Sequence, residues 1–166
     1  MPLASLIPVR SDIGLLLGII DRAYNRRSWH GTNLRGSIRG LTAAEAAWRP
    51  AKGRHNISEI VVHSAYWKYA VWRRLTGQRR GSFPLKGSNW FVRPASGPGD
   101  DWKQDVALLD HTHRVLRDAI AGLPDRNLRR KSRGSKVSNF ELIAGIAAHD
   151  LYHAGQIQLL KRLMRG

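Results

Sequence analysis

Apolar residues recur at steps of three and four along four long segments of this chain, and almost nowhere at steps of two. Steps of three and four keep side chains on one face of a helix, whereas a half-buried strand needs strict alternation. That pattern commits the chain to an all-α fold. The first segment runs from about Ser11 to Arg27, with Ile13, Leu17, Ile20 and Tyr24 as its inward stripe. The second opens at Asn56, with Asn56 and Glu59 at the N-cap and N3 positions, and runs to Thr76, where Gly77 stops it. Its stripe is Ile60, His63, Trp67 and Ala70. The third begins near Asp101 and carries Trp102, Val106, Leu109, His113, Leu116, Ile120 and Leu123 before GLPD ends it. The fourth opens on a capping box, Ser138 with Glu141, and extends to about Met164. Leu142, Ile146, His149, His153, Gln156, Leu160 and Leu163 form its seam. Between the first two segments lie a short piece around Leu34 to Arg39 and a capped mini-helix, Thr42 with Glu45, closed by Pro50.

Four amphipathic helices in 166 residues predict a four-helix bundle forming one domain over 1–166. No internal repeat breaks it. The connection from Gln78 to Asp100, between the second and third long helices, is long and rich in Gly and Pro. Loops of this length inside a compact domain are uncommon and often functional. The expectation is a crossover strap over one bundle end. The competing expectation is a packed connector whose aromatics, Phe83, Trp90 and Phe91, seal the core.

Composition removes several function classes. The chain has no cysteine, so disulfides, a thiolate nucleophile and Cys-ligated zinc or iron–sulfur sites are excluded. No apolar run approaches the roughly 20 residues that span a bilayer. The N-terminal stretch MPLASLIPVRSDIGLLLGII is interrupted by Pro8, Arg10 and Asp12, unlike a signal peptide. The expectation is a soluble cytoplasmic protein without a membrane partner. The formal net charge is +16, which suggests polyanionic partners. The densest basic run is RNLRRKSRGSK, Arg126 to Lys136. No zinc finger, RNP-type strand or helix-turn-helix accompanies it, so any nucleic-acid contact rests on charge alone.

Three histidines fall on inward faces. His149 and His153 are four apart, which brings their Cβ atoms within about 5–6 Å on one helical face. His63 sits on the seam of another helix and can complete a set of three. Buried imidazoles need partners for both ring nitrogens, and a divalent ion takes one nitrogen from each. Three neutral ligands would leave a coordination position open, as in catalytic rather than structural sites. The alternative is three satisfied core histidines. HDLYH is not HExxH, because Asp150 stands where a zincin has its general base.

The chain resembles the DinB/YfiT-like metalloenzyme family. The likeness runs through WHGTNLRGSIRGLTAAEAAWRP (Trp29 to Pro50), GRHNISEIVVHSAYWKY (Gly53 to Tyr69), SNWF (Ser88 to Phe91) and HDLYHAGQIQLLKR (His149 to Arg162). The resemblance implies a bundle binding one divalent metal through a histidine of the second helix and two histidines four apart in the last. The matching positions are His63, His149 and His153. Zn, Ni and Fe all suit such a site, and the identity stays open. Characterised relatives include thiol-dependent S-transferases and a thiol-dependent isomerase, so the resemblance also implies a low-molecular-weight thiol and a small-molecule substrate. Relatives often pair as homodimers. No catalytic residue beyond the metal ligands is named.

Three functions compete: a metal-dependent transferase or hydrolase, a basic nucleic-acid-binding module, and a protein that holds metal without turnover. Several further residues carry expectations. His113 is read as a core residue or a neighbour of the ligands, with a fourth-ligand or proton-shuttle role as the alternatives. His30 is a weak candidate for the pocket. Gln156 could bond a ligand ring, Tyr66, Trp67 and Tyr152 could line the pocket, and Gly155 could admit a close helix neighbour.

Overall fold

Ser11 begins the first helix with its own side chain, whose Oγ accepts the Gly14 N–H at 3.1 Å. The computed structural model describes residues 11–94 and 100–166, so the first half of the apolar N-terminal stretch, with Pro8 and Arg10, lies outside the described residues. Helix α1 spans Asp12–Tyr24 and ends three residues before the periodicity predicts. Two short helices follow, α2 (Leu34–Ser37) and α3 (Ala43–Ala47), the latter opened by the expected capping box of Thr42 and Glu45. The remaining long helices are α4 (Ile57–Thr76), α5 (Asp100–Ala121) and α6 (Asn139–Arg165). Gly77 ends α4 in the left-handed region at φ 72°, as glycine past a helix C-terminus does. Among the described residues there is no strand, only an isolated bridge between Lys131 and Ser138. No described helix is long and apolar enough to cross a membrane.

The four long helices form the predicted bundle. α4 packs on α5 and α6, and α1 packs on the same two, leaving α1 and α4 on one diagonal. Contacts between matched levels give the directions. Asp21 of α1 meets Arg117 of α5, and the α1 N-terminus meets Asp125 just beyond α5, so these helices are antiparallel. His63 meets His153 while Trp67 meets His149 and Lys68 meets Asp150, so α4 and α6 also run oppositely. α4 and α5 run the same way: Ile57 and Trp102 share one apolar cluster, Val71 and Leu116 the other. A parallel neighbour obliges the chain to return the length of α4, about 30 Å for a 20-residue helix. This explains the long connection. It does not cap a bundle end as expected. Ser82 reaches Tyr69, Phe83 packs on Tyr66 and Tyr69, and Asn89 reaches His63, so the strap lies lengthwise on α4.

Two details of the stripes differ from the sequence reading. Leu16 is buried and Leu17 only half-buried, because α1 turns Ile13, Leu16 and Ile20 inward. On α6 the deepest positions are Ile143, Ala147, Asp150 and Ile157, and Leu163 is 55% exposed. The core is in two apolar clusters. Along α4, α5 and α6 they are separated by a polar layer that includes Lys68, His113 and Asp150, all buried. The histidine triad lies beside this layer.

Candidate metal centre

His63 comes from the middle of α4, His149 and His153 from successive turns of α6. Antiparallel packing brings the three rings together. The Nε2 atoms of His63 and His149 are 3.2 Å apart, and those of His149 and His153 are 3.1 Å apart. One ring nitrogen from each of the three lies within 4.8 Å of the others, close enough to share an ion.

The outer nitrogens decide which way the lone pairs point. His63 Nδ1 donates to the Asn89 carbonyl at 2.8 Å, since a carbonyl can only accept. His153 Nδ1 faces Gln156 Oε1 at 2.7 Å, and the Gln156 amide nitrogen is turned the other way, to the Tyr152 hydroxyl at 3.0 Å. His63, protonated at Nδ1, therefore aims an Nε2 lone pair at His149, and with the Gln156 oxygen facing its Nδ1 His153 does the same. One proton on His149 Nε2 serves only one of these two lone pairs well, and His149 Nδ1 is buried with no partner among the described residues. A divalent cation would accept all three Nε2 lone pairs at once. Two nitrogens on a tetrahedral ion with bonds of about 2.0–2.1 Å are separated by about 3.3 Å, close to the two separations from His149 Nε2. The donor set fits a divalent transition metal.

Electrostatics keep the rings neutral. Burial, with the neighbouring imidazoles His153 and His63 adding to it, pushes His149 down to about 3. Burial likewise takes His153 down to about 4, against the Gln156 bond. His63 is lowered by burial, with the Asn89 carbonyl opposing. Neutral imidazole is the ligating form.

The strap builds one wall. Trp90 stacks on His63 at 3.9 Å between centroids and on His55 at 3.6 Å with its other face. His55 in turn contacts Glu59, which accepts two bonds from Arg49. Glu59 thus does not close a box on Asn56, although the Asn56 side chain caps the Glu59 N–H as expected. On the other side, His149 opens on a groove of about 180 Å³ between α4 and α6, floored by Val71, Leu142 and Ile146, with Trp67 on its flank and Arg74 among its lining residues.

The remaining expectations divide. Gln156 bonds a triad ring and Trp67 lines the groove. Tyr66 instead packs on Phe83 and Phe91 of the strap, and Tyr152 is 63% exposed. His113 is apart from the triad, stacked on Tyr24 at 3.6 Å inside the bundle, with no partner for Nδ1 among the described residues. His30 is exposed beside Trp29. Gly155 faces open space, where an added Cβ would meet nothing within 4 Å. Asn89 and the buried Lys68–Asp150 pair escaped the sequence reading. Asn89 lies in a loop without periodicity, and the pair gives no local signal beyond a lysine and an aspartate near inward positions.

The sequence profile of the DinB superfamily matches residues 26–157. This chain belongs to the DinB superfamily. The matched DinB region contains His63, His149 and His153, together with the part of the strap that holds Asn89 and Trp90. Comparison with curated proteins and with solved structures finds no significant match.

Proposed function

We propose that this DinB-superfamily protein is a divalent-metal-dependent enzyme, with His63, His149 and His153 as the metal ligands and S-transfer from a small thiol or hydrolysis as its reaction. The observation that carries the reading is the fixed orientation of the triad: two outer hydrogen bonds turn the His63 and His153 lone pairs inward. When bound, the metal supplies a Lewis acid that lowers the pKa of a coordinated water or thiol toward neutrality. The chain's own groups do the rest. Asn89 and Gln156 orient the rings. Trp90 and Trp67 keep the surroundings apolar, which strengthens electrostatic interactions inside them. Arg74, in the groove beside His149, offers a cation to an acidic group on thiol or substrate. The absence of cysteine leaves the thiol to come from outside the chain.

The test is elemental analysis of protein purified without a histidine tag, beside the His149→Ala/His153→Ala double variant. The expected result is about one transition-metal ion per chain, lost in the variant, followed by turnover in a panel of thiols with electrophiles and of hydrolysable esters and amides. A wild-type protein that takes up neither Zn nor Ni sinks the proposal.

A second, metal-independent reading has its own observation. The basic run is an ordered loop rather than a loose tail: Asn139 is buried, its N–H donates to Arg130 and its side chain to Asn127. Arg129, Arg130 and Arg133 are exposed and in no ion pair among the described residues. Such a loop suits the phosphates of a single-stranded nucleic acid. Binding would weaken with salt at a slope near −0.7 per phosphate contacted. Replacing these three arginines by Ala should lower that slope by about 2, and replacing Arg79, Arg80 and Lys86 should leave it nearly unchanged. Equal losses from both triple variants would mean diffuse charge and no site.

A further inference from the structure

Asn89 is the one non-glycine residue at positive φ among the described residues, at 68°. The Trp90 N–H donates to the Ser88 carbonyl at 2.9 Å, closing a ring of only three residues around it. An i to i+2 bond about a residue of positive φ makes the rare, strained form of the γ-turn. Nothing in the strap's length demands so tight a turn at this point. Strained backbone of this kind persists only where the surroundings over-determine it.

Here they do so from three sides. The Asn89 carbonyl accepts the His63 Nδ1–H at 2.8 Å. Its side-chain Oδ1 accepts the indole N–H of Trp67, one helical turn further along α4, at 2.9 Å. The next residue, Trp90, lies flat on the His63 ring at an interplanar angle of 11°. One turn of backbone therefore both hydrogen-bonds and covers the same imidazole. The chemical consequence lies in the carbonyl. It holds a proton on Nδ1, so Nε2 of the neutral ring keeps its lone pair toward His149 and His153. Without that acceptor His63 is free to take the other tautomer, which points an N–H at the place an ion would occupy and cannot ligate.

We propose that Asn89 is a positioning residue of the metal centre, its strained turn serving to fix His63 in the ligating tautomer. The inference rests on the metal-binding reading of the triad. It makes the crossover strap part of the site rather than a cover over it. It also explains the residue type. Asn tolerates positive φ better than other non-glycine residues, and its amide adds the tie to Trp67.

Two variants separate the backbone role from a merely structural one. Asn89→Gly keeps the carbonyl and tolerates the turn but removes the tie to Trp67. Asn89→Val opposes the turn, because a β-branched side chain is strongly disfavoured at positive φ. Two readouts apply: long-range ¹H–¹⁵N spectra of the metal-free protein, which report the protonated nitrogen of His63, and zinc affinity by chelator competition. The wild type and Asn89→Gly should show one Nδ1–H tautomer and zinc affinities within about threefold. Asn89→Val should show a tautomer mixture and affinity lower by about tenfold or more, the range of lost partners to metal-ligating histidines. Should Asn89→Val fail to fold, Asn89→Ala imposes the same conflict more mildly and takes its place. A wild-type tautomer and zinc affinity in the Val or Ala variant overturns the proposal. So does an equal loss in Asn89→Gly, which would place the effect in the amide rather than the turn. No zinc uptake by the wild type would instead sink the metal reading, while the metal-free spectra would still decide whether Asn89 sets the tautomer.

Discussion

Removing one member of the Lys68–Asp150 pair should be among the most damaging single changes in this bundle. The side chains are 0% and 1% exposed, and the ammonium donates to Asp150 Oδ2 between the two apolar clusters. Burial pulls the lysine down and pushes the aspartic acid up, so each needs the other to stay charged. Among the described residues the ammonium's other contact is the Tyr24 ring, 4.8 Å from Nζ to centroid. Asp150 Oδ1 has no hydrogen-bond partner among the described residues. Lys68→Met therefore leaves a buried carboxylate with nothing to neutralise it, at a cost of about 3–5 kcal/mol. For a chain of this size 1 kcal/mol moves Tm by roughly 2–4 °C, so the expected fall is about 6–20 °C. The combined Lys68→Met/Asp150→Leu variant removes both charges and should return to within about 2 kcal/mol of wild type, since buried pairs often do no better than well-packed apolar residues. Urea denaturation followed by circular dichroism on EDTA-treated protein measures this without a contribution from bound metal. The coupling in the double-mutant cycle should be at least about 2 kcal/mol. A Lys68→Met variant within about 1 kcal/mol of wild type would refute the reasoning, because the aspartate would then be solvated or neutral. A double variant as unstable as the worse single would refute it too, since the loss would be one of packing.

Three further outcomes follow from the same geometry. His113 is held neutral by burial, with Lys68 and Arg117 nearby adding to the effect. The folded ring stays unprotonated while the unfolded one takes up a proton below its ordinary value of 6.5, so stability is full above 6.5 and falls as pH drops below it. His113→Phe keeps a ring on Tyr24 and should flatten the curve of unfolding free energy against pH by up to about 1.4 kcal/mol per unit between pH 6 and 4.5, read on metal-free protein. A variant with the wild-type slope would mean that His113 is protonated or wet. Gly77→Ala meets no neighbour within 4 Å but forces alanine to φ 72°, so it should cost about 1–2 kcal/mol in urea unfolding, all of it conformational. Ser138→Ala removes the Oγ that accepts the Glu141 N–H at the start of α6, and a loss of about 1 kcal/mol is expected in the same assay.

Much of this architecture is local in origin and was legible as such. Each long helix carries its apolar stripe within its own residues, and Asn56, Gly77, Ser138 and Thr42 cap ends where short-range chemistry requires it. The stripes were legible to about one residue. Leu16 displaces Leu17, and Leu163 faces solvent, because the exact rotation of a helix is set by what packs against it. The histidine triad was half legible. The spacing of His149 and His153 fixes a shared face without help from the rest of the chain, and His63 announced itself only by lying on another seam.

The sequence by itself determined an all-α bundle, its caps, and two imidazoles one turn apart, since helical periodicity is written within a few residues of each position. Tertiary structure alone decided that α4 and α5 run parallel, that the strap therefore returns along α4, and that this return sets the Asn89 carbonyl on His63. It alone joined Lys68 to Asp150 across two helices. These contacts span 26 and 82 residues of chain, and no local preference specifies a partner at such distances. The packing of whole faces does, because burying a proton donor, an ammonium or a carboxylate is tolerable only where another element brings its complement.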